Sequence, residues 1–186
     1  MATGREARDL LPRFSLEAER AGSEVMVLDD WAGVAAHVDG RAGGGRVVLA
    51  PSLAGRAPGL VEALTAASVG FEVADDDEAA VPGGVADAAV GVVGGELAVA
   101  ETGGVMVSEH ALADRAVSML TRRLVLVVER GALVDSLDDV AEWLTARPGG
   151  AGFVSLMTGP SRTADIERSL TIGVQGPDAM DVVVLG

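Results

Sequence analysis

Two segments hold the side chains with the most chemical capacity. The first is the run Gly159-Pro160-Ser161-Arg162-Thr163-Ala164-Asp165-Ile166-Glu167, followed by Gly173-Val174-Gln175-Gly176-Pro177. Its Ser161, Arg162 and Thr163 stand between a predicted strand over 153–157 and a predicted helix over 164–170. Free N–H groups at a helix start, two hydroxyls and a guanidinium can together hold a carboxylate or a phosphate. Asp165 and Glu167 oppose that. Each would repel an anion, and each stabilises the first helical turn by about 0.3–1 kcal/mol through the helix dipole. Local chemistry alone favours a self-capped helix over an anion cradle. The second segment is Glu101-Thr102-Gly103, which ends an apolar strand with a turn. A carboxylate placed there can serve as general base or covalent nucleophile. A lone exposed Glu in a turn is the more ordinary reading.

The remaining candidates are weaker. Glu109-His110 precedes Asp114 and Arg115 at a helix start, and His37 closes an early helix; a lone His of this kind is usually a plain surface group. Trp31 and Trp143 fall on helices, where packing is their ordinary role. Gly43-Gly44-Gly45 precedes a strand, so it is no dinucleotide fingerprint. No nucleophile elbow is present.

Composition narrows the classes further. The 186 residues suit one domain over 1–186, and 49% hydrophobic residues with mean hydropathy +0.36 can bury a sizeable core. Aromatic residues are only 3%, so that core must be Val, Leu and Ala. A net charge of -14 disfavours nucleic acid and anionic membrane surfaces as partners. With no Cys, the chain cannot ligate zinc or an iron–sulfur cluster through thiolate, and no metal site is expected. All 14 basic residues are Arg, which removes Schiff-base chemistry and a P-loop lysine. No apolar run reaches membrane-spanning length and no apolar leader follows Met1, so a cytoplasmic protein is expected.

The elements that must position these residues can be read from periodicity. Apolar residues at helical spacing over 5–21 predict a helix that Pro12 interrupts. Strands follow over 25–28, 47–50 and 71–73. Asp29-Asp30 caps a helix over 31–38, and Leu60, Val61 and Leu64 mark another after Pro58. Asp75-Asp76-Asp77-Glu78 with Pro82-Gly83-Gly84 reads as a solvated connection. Strand 90–93, the turn Gly94-Gly95, strand 97–100 and strand 105–107 form a meander, expected to be antiparallel. A helix through Leu112–Leu120, a strand over 124–128, a helix through Leu137–Leu144 and a final strand over 182–185 complete the pattern. Alternating strands and helices at both ends predict an α/β fold with a Rossmann-like, mostly parallel sheet and a central antiparallel meander.

Three segments together resemble the lactate utilisation protein C family (LutC/YkgG, of the LUD group). They are Asp87-Ala88-Ala89-Val90-Gly91-Val92 through Ala100-Glu101-Thr102-Gly103, Arg115-Ala116-Val117-Ser118-Met119-Leu120 with the following strand, and the run from Gly159 through Pro177. The resemblance implies a NagB/RpiA/CoA-transferase-like fold. It implies a part in oxidising L-lactate to pyruvate beside iron–sulfur partner subunits, with the clusters in those partners and no cofactor in this chain. Four positions depart from the family's pattern: Val93 and Gly104 where a hydroxyl residue is usual, and Leu124 and Gln175 where histidine is common.

The expected site is one cleft in which Glu101, Thr102 and Gly103 face Gly159, Ser161, Arg162, Thr163 and Asp165. Arg162 would hold a carboxylate and Glu101 would be the acid–base or electrostatic group. Two other readings stay open: a non-catalytic subunit that docks the iron–sulfur partners, and an independent enzyme acting on CoA esters or sugar phosphates.

Overall fold

The computed structural model describes residues 9–79, 84–146, 152–164, 170–172 and 176–186. Its centre is a six-stranded sheet formed by β1 (Glu24–Leu28), β2 (Val47–Leu49), β3 (Phe71–Val73), β4 (Val90–Gly94), β7 (Arg123–Glu129) and β12 (Ala179–Leu185). The spatial order is β1-β12-β7-β4-β2-β3, and every neighbouring pair is parallel. β4 is buried along its whole length, and β7 and β12 each carry five consecutive buried residues. Such runs mean cover on both faces, the mark of a parallel sheet inside an α/β protein. Val and Leu from these strands join Phe14, Leu60 and Leu64 in one continuous core.

A second sheet has four strands in the order β8-β5-β6-β9, from β5 (Leu97–Val99), β6 (Gly104–Glu109), β8 (Leu133–Val134) and β9 (Phe153–Met157). It is assembled from two excursions. β5 and β6 are inserted between β4 and β7; β8 and β9 are inserted between β7 and β12. Val99, Met106 and Val140 form a small separate cluster under it, with Trp143 packed alongside.

The helices are α1 (Leu11–Arg20), α2 (Trp31–Ala42), α3 (Pro51–Arg56), α4 (Pro58–Ala66), α5 (Asp76–Ala79), α6 (Leu112–Leu120) and α7 (Leu137–Ala146). Asp30 caps α2 by accepting the Gly33 N–H at 2.8 Å, as the sequence predicts. Pro12 lies in the first turn of α1, where a missing N–H breaks no helical bond, so it opens the helix rather than interrupting it. The acidic run after β3 forms the short α5, and Asp76 accepts the Ala113 N–H at 2.9 Å at the start of α6.

The fold class read from the sequence therefore holds, with two corrections. β4 does not belong to the antiparallel meander. It lies inside the parallel sheet, and the chain crosses to the second sheet at Gly95-Glu96, whose N–H groups donate to Val127 and Met106 carbonyls at 2.8 and 2.7 Å. A Gly-Gly turn between two apolar runs suits a hairpin or a crossing equally well, and only long-range pairing separates them. The second correction is the helix expected from Ala164 to Leu170. Arg162–Ala164 is β10 and Leu170–Ile172 is β11, an antiparallel pair with Ala164 opposite Leu170. Residues 165–169, Asp165 and Glu167 among them, lie outside the described residues. Among the described residues, no helix begins within 161–164, so the dipole argument for an anion at 161–163 falls.

Candidate functional site

The two motif-bearing segments meet at one end of the second sheet. β6 pairs with β9 so that Val105 stands opposite Met157, and this register sets Gly104 beside Thr158. A Cβ on Gly104 would come within 2.5 Å of the Thr158 Oγ1. Both segments also press on α1. Gly103 has φ +67° and approaches so closely that a Cβ would lie 2.1 Å from the Ala18 nitrogen. Gly159 has φ +75°, and its Cβ would lie 2.2 Å from the Ala21 carbonyl oxygen. These glycines are required by backbone contact as well as by their left-handed torsions. The Ser161 N–H donates to the Pro177 carbonyl at 3.0 Å, which ties the two Gly-Pro turns together.

The polar groups of these segments are committed locally. The Glu101 carboxylate accepts the Leu137 N–H at 2.9 Å and so caps α7. The Thr102 hydroxyl oxygen accepts the Gly104 N–H at 3.2 Å within its own turn. A cavity of about 240 Å³ adjoins the second segment, lined by Ser118, Leu124, Thr158, Gly159, Ser161 and Met180 among others. Glu101 does not line it. The structure therefore brings Gly103 and Gly159 to one helix and sets Ser161 and Gly159 on one cavity. It engages the Glu101 carboxylate elsewhere, at α7. The side chains of Arg162 and Thr163, with Asp165 and Gln175, lie outside what is described. Leu124, one of the four departures, lies on the cavity wall, and Gly104 abuts its Thr158; Val93 is in the core.

Three buried carboxylates are held by hydrogen bonds that the sequence does not announce: Glu109 and Asp114, both ranked among the weaker candidates, and Asp181, which sequence reading missed. Glu109, 2% exposed, accepts from the Ser118 hydroxyl and, at 2.7 Å, from the Ser155 hydroxyl. Asp114, 1% exposed, accepts the N–H groups of Ser52, His110 and Ala111 at 3.0–3.1 Å and the Ser52 hydroxyl at 2.5 Å. It fastens α3 to α6. The third is Asp181, fully buried near the amino end of β12. It meets His37 Nε2 at 2.9 Å, Arg41 Nε at 2.8 Å and Arg123 Nη1 at 2.5 Å. Burial pushes its carboxyl up, but the His37 hydrogen bond and the Arg123 and Arg41 charges outweigh that and hold it below the usual carboxylate range. His37, expected to be a plain surface group, is thereby part of a buried ionic cluster. Its partner sits 144 residues away in sequence, so no local signal announces it.

The opposite edge of the parallel sheet is open. In open α/β sheets, ligands bind in the crevice outside the carboxyl ends of the strands. Here that crevice has a volume of about 270 Å³. It runs along Gly94, Val127, Glu129 and Leu185, at or near the ends of β4, β7 and β12, with Trp31, Arg56 and Glu96 on its walls. Arg56 Nη1 donates to Glu96 Oε1 at 2.7 Å, and its Nε donates to the Ser52 carbonyl at 3.3 Å. Trp31 packs on Gly59, where a Cβ would lie 2.6 Å from the indole Cδ1. None of these residues was singled out as a site from sequence. The available signal was Gly94-Gly95-Glu96 following a buried strand.

Among the described residues, no group of three or more His, Cys, Asp or Glu side chains could hold a metal ion, and no helix is long and apolar enough to cross a membrane.

A sheet of this kind, with a second sheet inserted between its strands and the Glu101 and Gly159 turns packed on α1, corresponds to a known family. The LUD domain model matches residues 60–185, and the chain belongs to the LUD domain family. Lactate utilization protein C of Shouchella clausii is 31% identical over 91 residues, 47% of this chain and 40% of that protein. Lactate utilization protein C of Macrococcus caseolyticus is 29% identical over 100 residues, 52% of this chain and 43% of the relative. YkgG of Escherichia coli is 31% identical over 94 residues, 48% and 41% of the two chains. The resemblance read from the motifs thus holds, while the match spans less than half the length of these relatives. The fold matches a crystal structure of a DUF162 family protein from Deinococcus radiodurans with TM-score 0.69 at 19% identity, covering 95% of this chain and 96% of that one.

Proposed function

We propose that this chain serves lactate utilisation as a LutC-type component of a lactate-oxidising system. The observation that carries the reading is family membership over residues 60–185 together with relatives named lactate utilization protein C. Oxidising lactate to pyruvate removes two electrons and two protons from the C2 carbinol. This chain has no Cys, so thiolate-held iron–sulfur clusters that accept those electrons would belong to partner subunits. The chain's own part is to bind a small anionic ligand or those partners.

The committed state of Glu101 and Thr102 favours a scaffolding role for the motif segments. A carboxylate already accepting a backbone N–H at a helix start is poorly placed to abstract a proton. Gly103 and Gly159 lock α1 against the second sheet, which makes that end a rigid surface for assembly. Deleting the gene and restoring it tests the reading. Growth on L-lactate as sole carbon source should fail without the chain and return with it. Co-purification with iron–sulfur subunits should survive Glu101→Gln, which keeps an acceptor for the Leu137 N–H. Unimpaired growth of the deletion strain on lactate would overturn the proposal.

A further inference from the structure

We propose that the crevice at the carboxyl ends of β4, β7 and β12, rather than the Gly159 segment, binds a small carboxylic acid carrying a hydrogen-bond donor on C2, such as a 2-hydroxy acid. The choice of a hydroxyl donor rests on the lactate reading above; the location and the charge pattern do not.

The location follows from topology. β2 leads outward to β3, while β4 turns back toward β7 and β12, so the sheet reverses direction between β2 and β4. Such a reversal opens a crevice at the carboxyl edge. The chain leaves β4 through Gly95, on the crevice wall, where it passes so close to the second sheet that a Cβ would lie 2.5 Å from the Val105 Cγ1. Gly94 is bare for a related reason: its Cβ would come within 2.9 Å of the Arg56 Nη2. The guanidinium therefore lies against the Gly94 backbone at the crevice wall.

The chemistry follows from which valences remain. Arg56 uses Nη1 for Glu96 and Nε for Ser52. Its Nη2 has no hydrogen bond among the described residues and is available to a carboxylate. Glu96 uses one oxygen for Arg56, and its second has no partner among the described residues. The Glu129 carboxylate lines the same crevice and makes no hydrogen bond or ion pair among the described residues. One wall thus presents a cationic donor with carboxylate acceptors nearby. In a protein of net charge -14, a plain anion is repelled except at the guanidinium. An acid lacking a C2 donor would bring its carboxylate close to Glu96 and Glu129 with nothing to offer them. A C2 hydroxyl donates to one of these oxygens and removes that penalty. A site that binds a ligand through its hydroxyl discriminates against the analogue without one, because the acceptor loses that hydrogen bond. Trp31, Leu53 and Leu185 supply apolar walls for the carbon chain.

Trp31 and Trp143 are the two tryptophans. Trp143→Phe leaves Trp31 as a single fluorescent reporter on the crevice wall. Titrating that full-length variant with L-lactate should give saturable quenching or a spectral shift, with propionate and pyruvate weaker. Arg56→Gln should weaken lactate about 10- to 100-fold, the loss expected for a charge-assisted hydrogen bond, with Arg56→Lys recovering part of it. Glu96→Gln should reduce the preference of lactate over propionate. Ser161→Ala, in the other cavity, should leave all of these unchanged. L-alanine distinguishes the donor: binding tighter than lactate overturns the hydroxy-acid assignment. Lactate binding that survives Arg56→Gln, or that fails on Ser161→Ala, overturns the location. Growth separates this inference from the one it rests on. If the chain is required for growth on lactate and Arg56→Gln complements fully, the crevice assignment fails and the proposed function stands. If deletion leaves growth on lactate intact while the crevice still selects hydroxy acids in the titration, the function fails and the site stands.

Discussion

The two edges of the six-stranded sheet treat charge in opposite ways. At the amino edge, Asp181 is fully buried and both its oxygens are taken by His37, Arg41 and Arg123. A cavity there is lined by Arg41, Arg122 and Arg123, yet each guanidinium already has a carboxylate: Glu24, Asp181 or, at 3.8 Å, Asp178. At the carboxyl edge, the Arg56 and Glu96 side chains keep 49% and 23% of their exposure, and each keeps an unused valence. A closed ionic cluster fixes strand register and leaves nothing for a ligand. A half-exposed pair contributes little to folding and retains capacity for binding. The comparison separates structural charge from functional charge better than residue type does, since both edges use Arg with Asp or Glu.

The strongest way to break the comparison is at the amino edge. Asp181→Ala leaves His37, Arg41 and Arg123 facing a buried void and should cost about 3–5 kcal/mol, read by urea denaturation. The same residue predicts a pH dependence. Its folded pKa is depressed, so its stabilisation is complete above the unfolded value of about 3.9 and is lost as pH falls through the lower folded value. Acid titration of stability should therefore be shallower in Asp181→Asn than in the parent below about pH 4. A parallel loss in both proteins would show that the cluster does not set acid stability.

Next in size is Gly103→Ala. A Cβ 2.1 Å from the Ala18 nitrogen, at φ +67°, forces α1 away from the β5–β6 turn. The expected cost is about 2–4 kcal/mol, seen as a fall in both the denaturant midpoint and the thermal midpoint. A neutral result would mean that α1 is not seated on the turn. Glu101→Ala removes only a cap from α7 and should cost about 0.5–2 kcal/mol by the same measurement. An effect on ligand binding with unchanged stability would instead mark Glu101 as a chemical group. Smallest in stability is Arg56→Gln, at about 0–1 kcal/mol, since the pair it breaks is partly exposed. Its effect should appear in binding, which is the asymmetry that the two edges predict.

Legibility of the fold tracked the range of the interactions involved. β1, β2, β3, β7, β9, α2, α4, α6 and α7 could be read from local apolar periodicity and capping. α3 went unread, because six residues opening with Pro51 and containing Gly55 present too little periodicity. Ala164 and Leu170 are expected to bound a helix because Ser161, Thr163 and the carboxylates at 165 and 167 mimic a helix start; the β10–β11 ladder that pairs Ala164 with Leu170 overrides that local signal. The site was less legible than the fold. The Glu101 and Gly159 segments were correctly seen as informative, since glycines at left-handed torsions and close contacts leave a mark in sequence. That the Glu101 carboxylate caps α7 was not legible, because a capping carboxylate and a reactive one look alike until the partner N–H of Leu137, 36 residues away, is known.

By itself, the sequence determined most of the element types, the α/β class, the kinship with lactate utilisation protein C and the absence of thiolate chemistry. Those follow from local periodicity, residue inventory and motif wording. Only the tertiary structure decided that β4 sits inside the parallel sheet, that His37 meets Asp181, that Glu101 caps a helix, and that the open crevice lies at Arg56 and Glu96. Each of those depends on pairing across tens of residues, where the free energy of contact is set by geometry that no local pattern encodes.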